Sequence, residues 1–373
     1  MTRVLHVTEA MGSGVLSLVD SISRRQAEQG ADVEVLFAPR PETPTDEALR
    51  ARFDARVALR RVSTGSRIGD LRALSRAVAR AADGVDAVHA HSSIGGAVAR
   101  LAVRRRLPAE RVFFSPHGFA FLRLDLPGPL RYTARIVERT LARRSTLVLT
   151  SPSEFALATA ELRPARAHLL QTGIPSETVS RTARVADPGR RPVVGMIGRV
   201  VHQKAPWRFA AAARALGERA DFVWIGGGSA DDERRWFGDA PVRVTGWVSP
   251  GELAELIDGM DVLLFPSLWE GMSLSLIQAQ AQGIPAVVSD VVGNRDSVLD
   301  GVTGYVCADD DALIAATGRL LDDPRLRERM SAAALEWARR ALTDDALGRD
   351  SLALYRGAAA NGTAAETERS RVG

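Results

Sequence analysis

Cysteine occurs once in the 373 residues, at Cys307, so no internal disulfide can form and packed cores must hold the chain together. The residue lies in Gly-Tyr-Val-Cys-Ala, a strand-like run, and reads as a small buried apolar side chain rather than a nucleophile. Missing cysteine pairs fit a reducing compartment. No stretch of about 18 uncharged apolar residues is present, so no spanning helix is expected. The opening Met-Thr-Arg-Val-Leu-His-Val, followed by Gly-Ser-Gly, is too short for a signal h-region. A cytoplasmic protein is expected. There is no Gly-Lys-Ser/Thr phosphate loop and no His-Glu-x-x-His. No carboxylate pair stands out for hydrolysis. Asp309-Asp-Asp311 opens a helix and reads as a cap rather than an acidic metal motif. Neither an essential metal nor a cofactor is expected.

Hydrophobic residues make up 46% and charged residues 25%, the proportions of a globular protein. Net charge is only +4, but it is uneven, and arginine stands almost everywhere in place of lysine. From Arg100 to Arg144 there are eleven arginines against Glu110, Asp125 and Glu138. Two readings stay open: solvated arginine in an arginine-rich chain, or a surface that meets an anionic membrane or acceptor. Nucleic acid is not expected as a partner, because no recognition motif accompanies the charge.

Strand and helix alternate. Val4–Thr8, Val33–Phe37, Val85–Ala90, Val112–Ser115 and Thr146–Thr150 read as strands with helical stretches between, which predicts an α/β domain with a parallel sheet. A polar, proline- and arginine-bearing stretch follows Ile174, and then the pattern restarts. Val193–Ile197, Phe222–Gly226, Val242–Thr245, Val262–Phe265, Ala286–Ser289 and Tyr305–Cys307 are expected strands. Helices are expected over Trp207–Leu216, Pro250–Gly259, Ser273–Gln282, Asp311–Leu321 and Arg325–Arg340. The expected organisation is a first domain over 1–175, a linker over 176–191 and a second domain over 192–340. A helix over 341–360 and a disordered tail over 361–373 complete it. Both domains should be doubly wound, with ligands at the carboxyl ends of the strands in a cleft between them.

The most informative segment runs from Phe265 to Asp290. A strand ends at Pro266, a loop carries Glu270 and Gly271, and a helix begins near Ser273. The first-turn amides of that helix lack intrahelical partners and suit a phosphate or sugar hydroxyls. Gly271 lets the backbone approach a ligand. The competing reading is that Ser273 caps the helix and Glu270 favours its positive end. Upstream, Val194-Gly-Met-Ile-Gly-Arg-Val-Val-His-Gln-Lys204 places Arg199 and Lys204 after a strand, where two cations can neutralise a diphosphate. Trp247 is either a nucleobase wall or a core tryptophan. Gly226-Gly-Gly228 reads as a turn near the site. His89 and His91 alternate on one strand face. A metal site there needs a third ligand that the sequence does not reveal, so they read as lining or packing residues.

The chain resembles the family 4 retaining glycosyltransferases of the GT-B fold. The elements that carry the resemblance are Gly198-Arg199…Lys204, Pro266-Ser267…Glu270-Gly271, Gln280-Ala-Gln-Gly-Ile-Pro and Val292-Gly-Asn-Arg. In the first half they are Asp86-Ala-Val-His-Ala-His-Ser92, Pro116-His-Gly118 and Ser151-Pro-Ser-Glu154. The likeness covers the chain to about residue 340 and looks nearest to bacterial capsule and exopolysaccharide enzymes. It implies two Rossmann-like domains, an acceptor domain and a donor domain, and a C-terminal helix crossing back to the first. The implied reaction moves a sugar, with retention, from a nucleotide-diphosphate donor (uridine or guanosine) to a hydroxyl of a glycan or lipid-linked acceptor at the inner membrane face. By the same resemblance Arg199 and Lys204 grip the donor pyrophosphate, while Glu270 contacts the donor sugar. Gly271, Met272, Ser273 and Leu274 line the donor, and His117 sits beside the reacting sugar. Gly12, Ser13 and Gly14 form a glycine loop near the phosphates and acceptor. The family's second glutamate, which binds ribose, is Gln278 here. An amide can still hydrogen-bond a ribose hydroxyl but brings no charge. Two rival readings are a nucleotide-sugar epimerase on the same architecture and a non-catalytic nucleotide-sugar-binding partner.

Overall fold

The computed structural model describes residues 1–357. The expected tail over 361–373 and the last residues of the expected helix over 341–360 lie outside them. In chain order the elements begin with β1 (Arg3–Thr8), α1 (Ser13–Glu28), β2 (Asp32–Phe37), α2 (Asp46–Arg52), β3 (Val57–Arg61), α3 (Arg67–Ala81), β4 (Ala87–His91), α4 (Ser93–Val103), β5 (Val112–Ser115), α5 (Gly128–Leu141), β6 (Thr146–Leu149), α6 (Pro152–Leu162) and β7 (Ala167–Leu169). There follow β8 (Val193–Ile197), α7 (Pro206–Leu216), β9 (Asp221–Ile225), α8 (Ala230–Phe237), β10 (Val242–Val244), α9 (Pro250–Asp258), β11 (Val262–Phe265), α10 (Leu274–Ala281), β12 (Ala286–Ser289), α11 (Asn294–Ser297), β13 (Gly304–Cys307), α12 (Asp310–Asp322), α13 (Pro324–Ala341) and α14 (Leu347–Tyr355).

They form two compact units. The first comprises Met1–Phe121, Gly128–Thr172 and the chain from Asp344; the second comprises Leu122–Pro127 and Gly173–Thr343. The first holds a seven-stranded sheet in the order β3-β2-β1-β4-β5-β6-β7, and the second a six-stranded sheet in the order β10-β9-β8-β11-β12-β13. Every strand pair is parallel. The apolar runs explain this. Strands β4, β5, β6, β11 and β12 are buried along their whole length, as a parallel sheet covered on both faces requires. Helix starts follow the sequence signals. Ser151 caps α6 ahead of Pro152, Ser249 and Glu252 form a capping box on α9, and Asp309 caps α12 by accepting from the Ala312 amide. Asp309 is therefore the cap that its sequence position suggests.

Four elements escape a sequence reading, among them α11, a single turn of four residues. β3 and β7 are edge strands with exposed or half-exposed positions, and α8 is mostly polar, Ala-Asp-Asp-Glu-Arg-Arg-Trp-Phe. Residues 176–191, expected as a linker, belong to the second unit. Val179 packs there with Met272, Ile277, Leu335 and Leu342. The Arg184 guanidinium donates to the carbonyls of Ile257, Asp258, Met260 and Gln282. The helix expected from Ala341 starts later, as α14, after a bend at residues 342–346, and it packs on α1 in the first unit. Asp344 at that bend is fully buried and takes the guanidinium of Arg25 at 2.6 Å and that of Arg24 at 3.1 Å.

Candidate functional site

In the second unit the strand order reverses between β8 and β11, the place where open parallel sheets bind ligands off their carboxyl ends. The segments leaving those two strands carry the expected donor residues, and the structure brings Lys204 and Glu270 together. Lys204 Nζ lies 2.7 Å from Glu270 Oε1 and 4.3 Å from the Phe265 ring centroid. The two side chains are only 15% and 7% exposed. Gln203 fastens the loops by donating to the Trp269 carbonyl at 2.9 Å and accepting from the Leu268 amide at 2.8 Å. Lys204 is the only lysine in the chain; every other residue among the 49 basic ones is arginine. A compact ammonium fits between a carboxylate and a ring face where a planar guanidinium is bulkier. Arg199 is exposed in the same loop, and its side chain has no partner among the described residues.

Backbone contacts without room for side chains shape these loops. A Cβ on Gly226 (φ +126°) would lie 2.3 Å from the Gly198 carbonyl oxygen, and one on Gly293 (φ +83°) would lie 1.4 Å from the Gly271 carbonyl oxygen. The indole of Trp224, fully buried, donates to the same Gly198 carbonyl at 2.8 Å. Gly226 and the glycines after it thus form the turn expected after β9, and Thr245 Oγ1 accepts from the Gly226 amide at 3.2 Å. Trp247, two residues on, is 73% exposed, which removes the core-packing alternative.

Helix α10 starts one residue after Ser273, and Ser273 makes no side-chain capping bond. The capping reading of Ser273 therefore fails, and its first-turn amides face the loop without a side-chain acceptor. Glu270, Met272 and Ser273 are buried, while Gly271, Leu274 and Gln278 are half-buried. The Gln278 side chain has no hydrogen-bond partner among the described residues. Three further polar atoms nearby in sequence, Ser267 Oγ, Gln280 Oε1 and Asn294 Oδ1, are buried without partners. Each such orphan costs about 1–3 kcal/mol, a cost that a ligand or water offsets. Sequence reasoning missed these atoms, since nothing in the residue type tells an orphaned side chain from a paired one.

In the first unit, Gly12 is the N-cap of α1, without a side-chain capping bond, and Ser13 and Gly14 open the helix. Glu9, just upstream, is 3% exposed. It takes the Arg40 guanidinium, the Ser92 hydroxyl and the Gly95 amide at the start of α4. His117 follows β5 in a strained turn (φ +54°) before Gly118 (φ +94°). Its Nε2 lies 2.9 Å from His91 Nδ1, and the two rings stack within 6°. The third histidine that the sequence left unlocated is His6 of β1, which pairs in register with His89 and so shares its sheet face. Ligand nitrogens of His6, His89 and His91 lie within 4.8 Å of one another. Burial pushes the His6 and His117 imidazoles down to about 4 and those of His89 and His91 well below the usual range. A solitary histidine inside the apolar β1 was the available signal.

The basic stretch divides. Arg100 is fully buried, stacked 3.7 Å over Phe114 and paired with buried Glu138 at 2.8 Å, so it is part of the core and not of a surface. Arg139, Arg143 and Arg144 are exposed. On α5, Leu130, Tyr132, Ile136 and Val137 are exposed by 43–59%. Cys307 is buried, which pushes its thiol up to about 11, and is no nucleophile. Among the described residues no helix is long and apolar enough to cross a membrane.

Residues 12–178 match the family model described as Glycosyltransferase Family 4, and residues 191–323 match Glycosyl transferases group 1. The chain is 27% identical over 268 residues to a UDP-Gal:alpha-D-GlcNAc-diphosphoundecaprenol alpha-1,3-galactosyltransferase of Escherichia coli, covering 64% of this chain and 67% of that one. It is 27% identical over 372 residues to a D-inositol 3-phosphate glycosyltransferase of Stackebrandtia nassauensis, covering 87% and 84%. Its fold matches that of sucrose-phosphate synthase from Thermosynechococcus elongatus with a TM-score of 0.80 at 19% identity, over 97% of this chain and 100% of that chain.

Proposed function

Because the chain belongs to the group 1 and family 4 glycosyltransferases of the GT-B fold, we propose that its second unit takes a uridine diphosphate sugar at the β8–β11 switch point and that the acceptor is lipid-linked. The chain is a transferase of polysaccharide biosynthesis; the donor and acceptor are the finer reading. The Escherichia coli galactosyltransferase, which by its name uses a UDP-sugar and a diphosphoundecaprenol acceptor, supports both parts.

The observation that carries the site is Lys204. A chain that uses arginine at every other basic position keeps one lysine, and it stands against Glu270 at the switch point. Arg199 and Lys204 neutralise the two charges that develop on the departing diphosphate, and the free amides of α10 add oriented dipoles. Glu270 accepts from donor-sugar hydroxyls, Gln278 from or to the ribose, and the exposed Trp247 offers a face for the base. Gly12–Gly14 and His117 serve the acceptor side. Retention follows from the family reading, in which the leaving phosphate helps remove the acceptor proton. The cations of the chain itself supply the charge stabilisation, so turnover is expected to survive a chelator. Along α5, exposed apolar side chains next to Arg139, Arg143 and Arg144 support peripheral binding to an anionic membrane at its inner face.

The test is turnover of labelled UDP-sugars by the full chain, alone and with a lipid-linked acceptor, for the parent, Arg199→Ala, Lys204→Ala and Lys204→Arg. Losses of about a hundredfold or more are expected for each alanine variant, with incomplete recovery in Lys204→Arg. Unchanged turnover in both alanine variants would remove the site. Gln278 favours a second reading, a partner that binds a nucleotide sugar without turning it over, and binding without hydrolysis or transfer identifies it. Co-sedimentation with vesicles that shows no preference for anionic lipid removes the membrane surface.

A further inference from the structure

The buried polar atoms behind His117 form one continuous hydrogen-bonded chain, and its ends fix where every proton sits. Ser351 Oγ donates to the Gly348 carbonyl. It must therefore accept from Gln26 Nε2 at 2.9 Å, which orients the Gln26 amide. The carbonyl oxygen of that amide, Oε1, then faces His6 Nε2 at 2.8 Å. An amide oxygen only accepts, so His6 carries its proton on Nε2. His6 Nδ1 is left to accept from His91 Nε2 at 2.9 Å, and His91 Nδ1 to accept from His117 Nε2 at 2.9 Å.

A second branch gives the same polarity independently. Ser115 Oγ donates its single proton to the Val148 carbonyl, so it accepts from His89 Nε2 at 2.9 Å. His89 Nδ1 then accepts from the Tyr355 hydroxyl at 2.6 Å, and Tyr355 accepts from the second Gln26 amide proton at 3.2 Å. Both branches meet at Gln26 without a conflict. Among the bonds just named no donor lacks an acceptor and no ring needs a second proton. One atom stays over: His117 Nδ1, which is buried and has no partner.

We infer that His6, His91 and Gln26 are positioning residues that lock His117 in its Nε2–H tautomer, leaving Nδ1 as a bare acceptor for a sugar hydroxyl of the substrate. This rests on the reading of the first unit as the site beside the reacting sugar. The low basicity of the buried ring makes Nδ1 a hydrogen-bond acceptor rather than a proton carrier. The site thus selects for a hydroxyl that donates. A deoxy sugar, or one with an ether there, leaves the lone pair buried and unmet and is expected to react roughly tenfold to a hundredfold more slowly. A metal ion on His6, His89 and His91 would need nitrogens that are already hydrogen-bonded, those of His6 and His91 within the chain to His117 and those of His89 to Ser115 and Tyr355, and these bonds would have to break.

The experiment is ¹⁵N-imidazole spectroscopy of the full chain at neutral pH. Of the six histidines, His168 and His202 are outside the network and are removed by His168→Asn and His202→Asn. The remaining four are expected to show pyridine-type Nδ1 and pyrrole-type Nε2 signals. A pyrrole-type Nδ1 on any of them, an imidazolium, or stoichiometric metal in the purified protein overturns the assignment. Kinetics give the second readout. His91→Asn keeps an acceptor where Nδ1 stood and His91→Leu does not, so the asparagine variant is expected to recover part of the roughly tenfold or greater loss in kcat/KM. Equal losses in two folded variants overturn the positioning role. If His91→Leu does not fold, the spectra of the parent decide. If no donor is turned over at all, the proposed function fails while the spectra still test the tautomer.

Discussion

Gly293→Ala should disable the proposed donor site through the backbone alone. The new methyl would lie 1.4 Å from the Gly271 carbonyl oxygen, whereas an ordinary carbon–oxygen contact is nearer ~3.4 Å. The Glu270–Gly271 loop must therefore retreat by about 2 Å, or residue 293 must do so. Gly293 also has φ +83° and ψ −41°, a region that an L-residue occupies only at a cost of about 1–3 kcal/mol. Strain and displacement together are expected to lower stability by about 2–4 kcal/mol. For a unit of this size that is a fall in Tm of roughly 4–16 °C. Since a misplacement of about 1 Å can cost a hundredfold in rate, loss of donor affinity and turnover of at least that order is expected. Gly301→Ala is the control: it has φ +72° but nothing within 4 Å of an added Cβ. It should cost about 1–2 kcal/mol and leave binding intact. The assays are differential scanning calorimetry, titration with UDP and turnover. A folded Gly293→Ala that binds UDP like the parent refutes the reasoning, because the loop would then not depend on that backbone contact.

Acid should destabilise the first unit through its histidines. The folded-state pKa of His6 is lowered from 6.5 to about 4. Its contribution is therefore fully present above pH 6.5, and it drains away as pH falls toward 4. From His6 alone, denaturant titrations at pH 7.5 and pH 5 should differ by about 2 kcal/mol; a flat profile contradicts the neutral network. Glu138→Ala strands the buried Arg100 guanidinium and is expected to cost about 3–5 kcal/mol, with much of that recovered in Arg100→Met/Glu138→Leu, measured by urea denaturation. Gln278→Glu should tighten UDP-sugar binding about three- to tenfold by adding a charge-assisted bond to the ribose, read by calorimetric titration.

Much of this was legible in the residues, for physical reasons. The central strands are continuous apolar runs, so β5, β8, β11 and β12 appear with the bounds the sequence predicts, and the glycines and prolines between them mark the loops. β3 and β7 are missed because an edge strand needs only one neighbour and tolerates arginine. Lys204 and Glu270 were legible as separate candidates because both follow strand ends, but their contact was not, since no local signal joins residues 66 positions apart. The role of Trp247 was open until its exposure was known, since an indole serves a core and a binding face equally well. The histidine network was half legible: alternation places His89 and His91 on one face, but only the parallel register of β1 on β4 brings in His6. No local signal links Tyr355 to residues 266 positions earlier.

The return of α14 to α1 has a consequence for how the protein is made. Gln26 bonds Ser351 across 325 positions, Arg25 bonds Asp344 across 319, and Gly348 sits against the Arg25 backbone with no space for a methyl. At about 5–20 residues per second, a ribosome needs some tens of seconds to add the stretch between them. Throughout that interval the first-made sheet lacks the helix that covers His6, His89 and the apolar face of α1. The unit that leaves the exit tunnel first is thus completed last. Early release of the nascent chain leaves it open however well the second unit has folded.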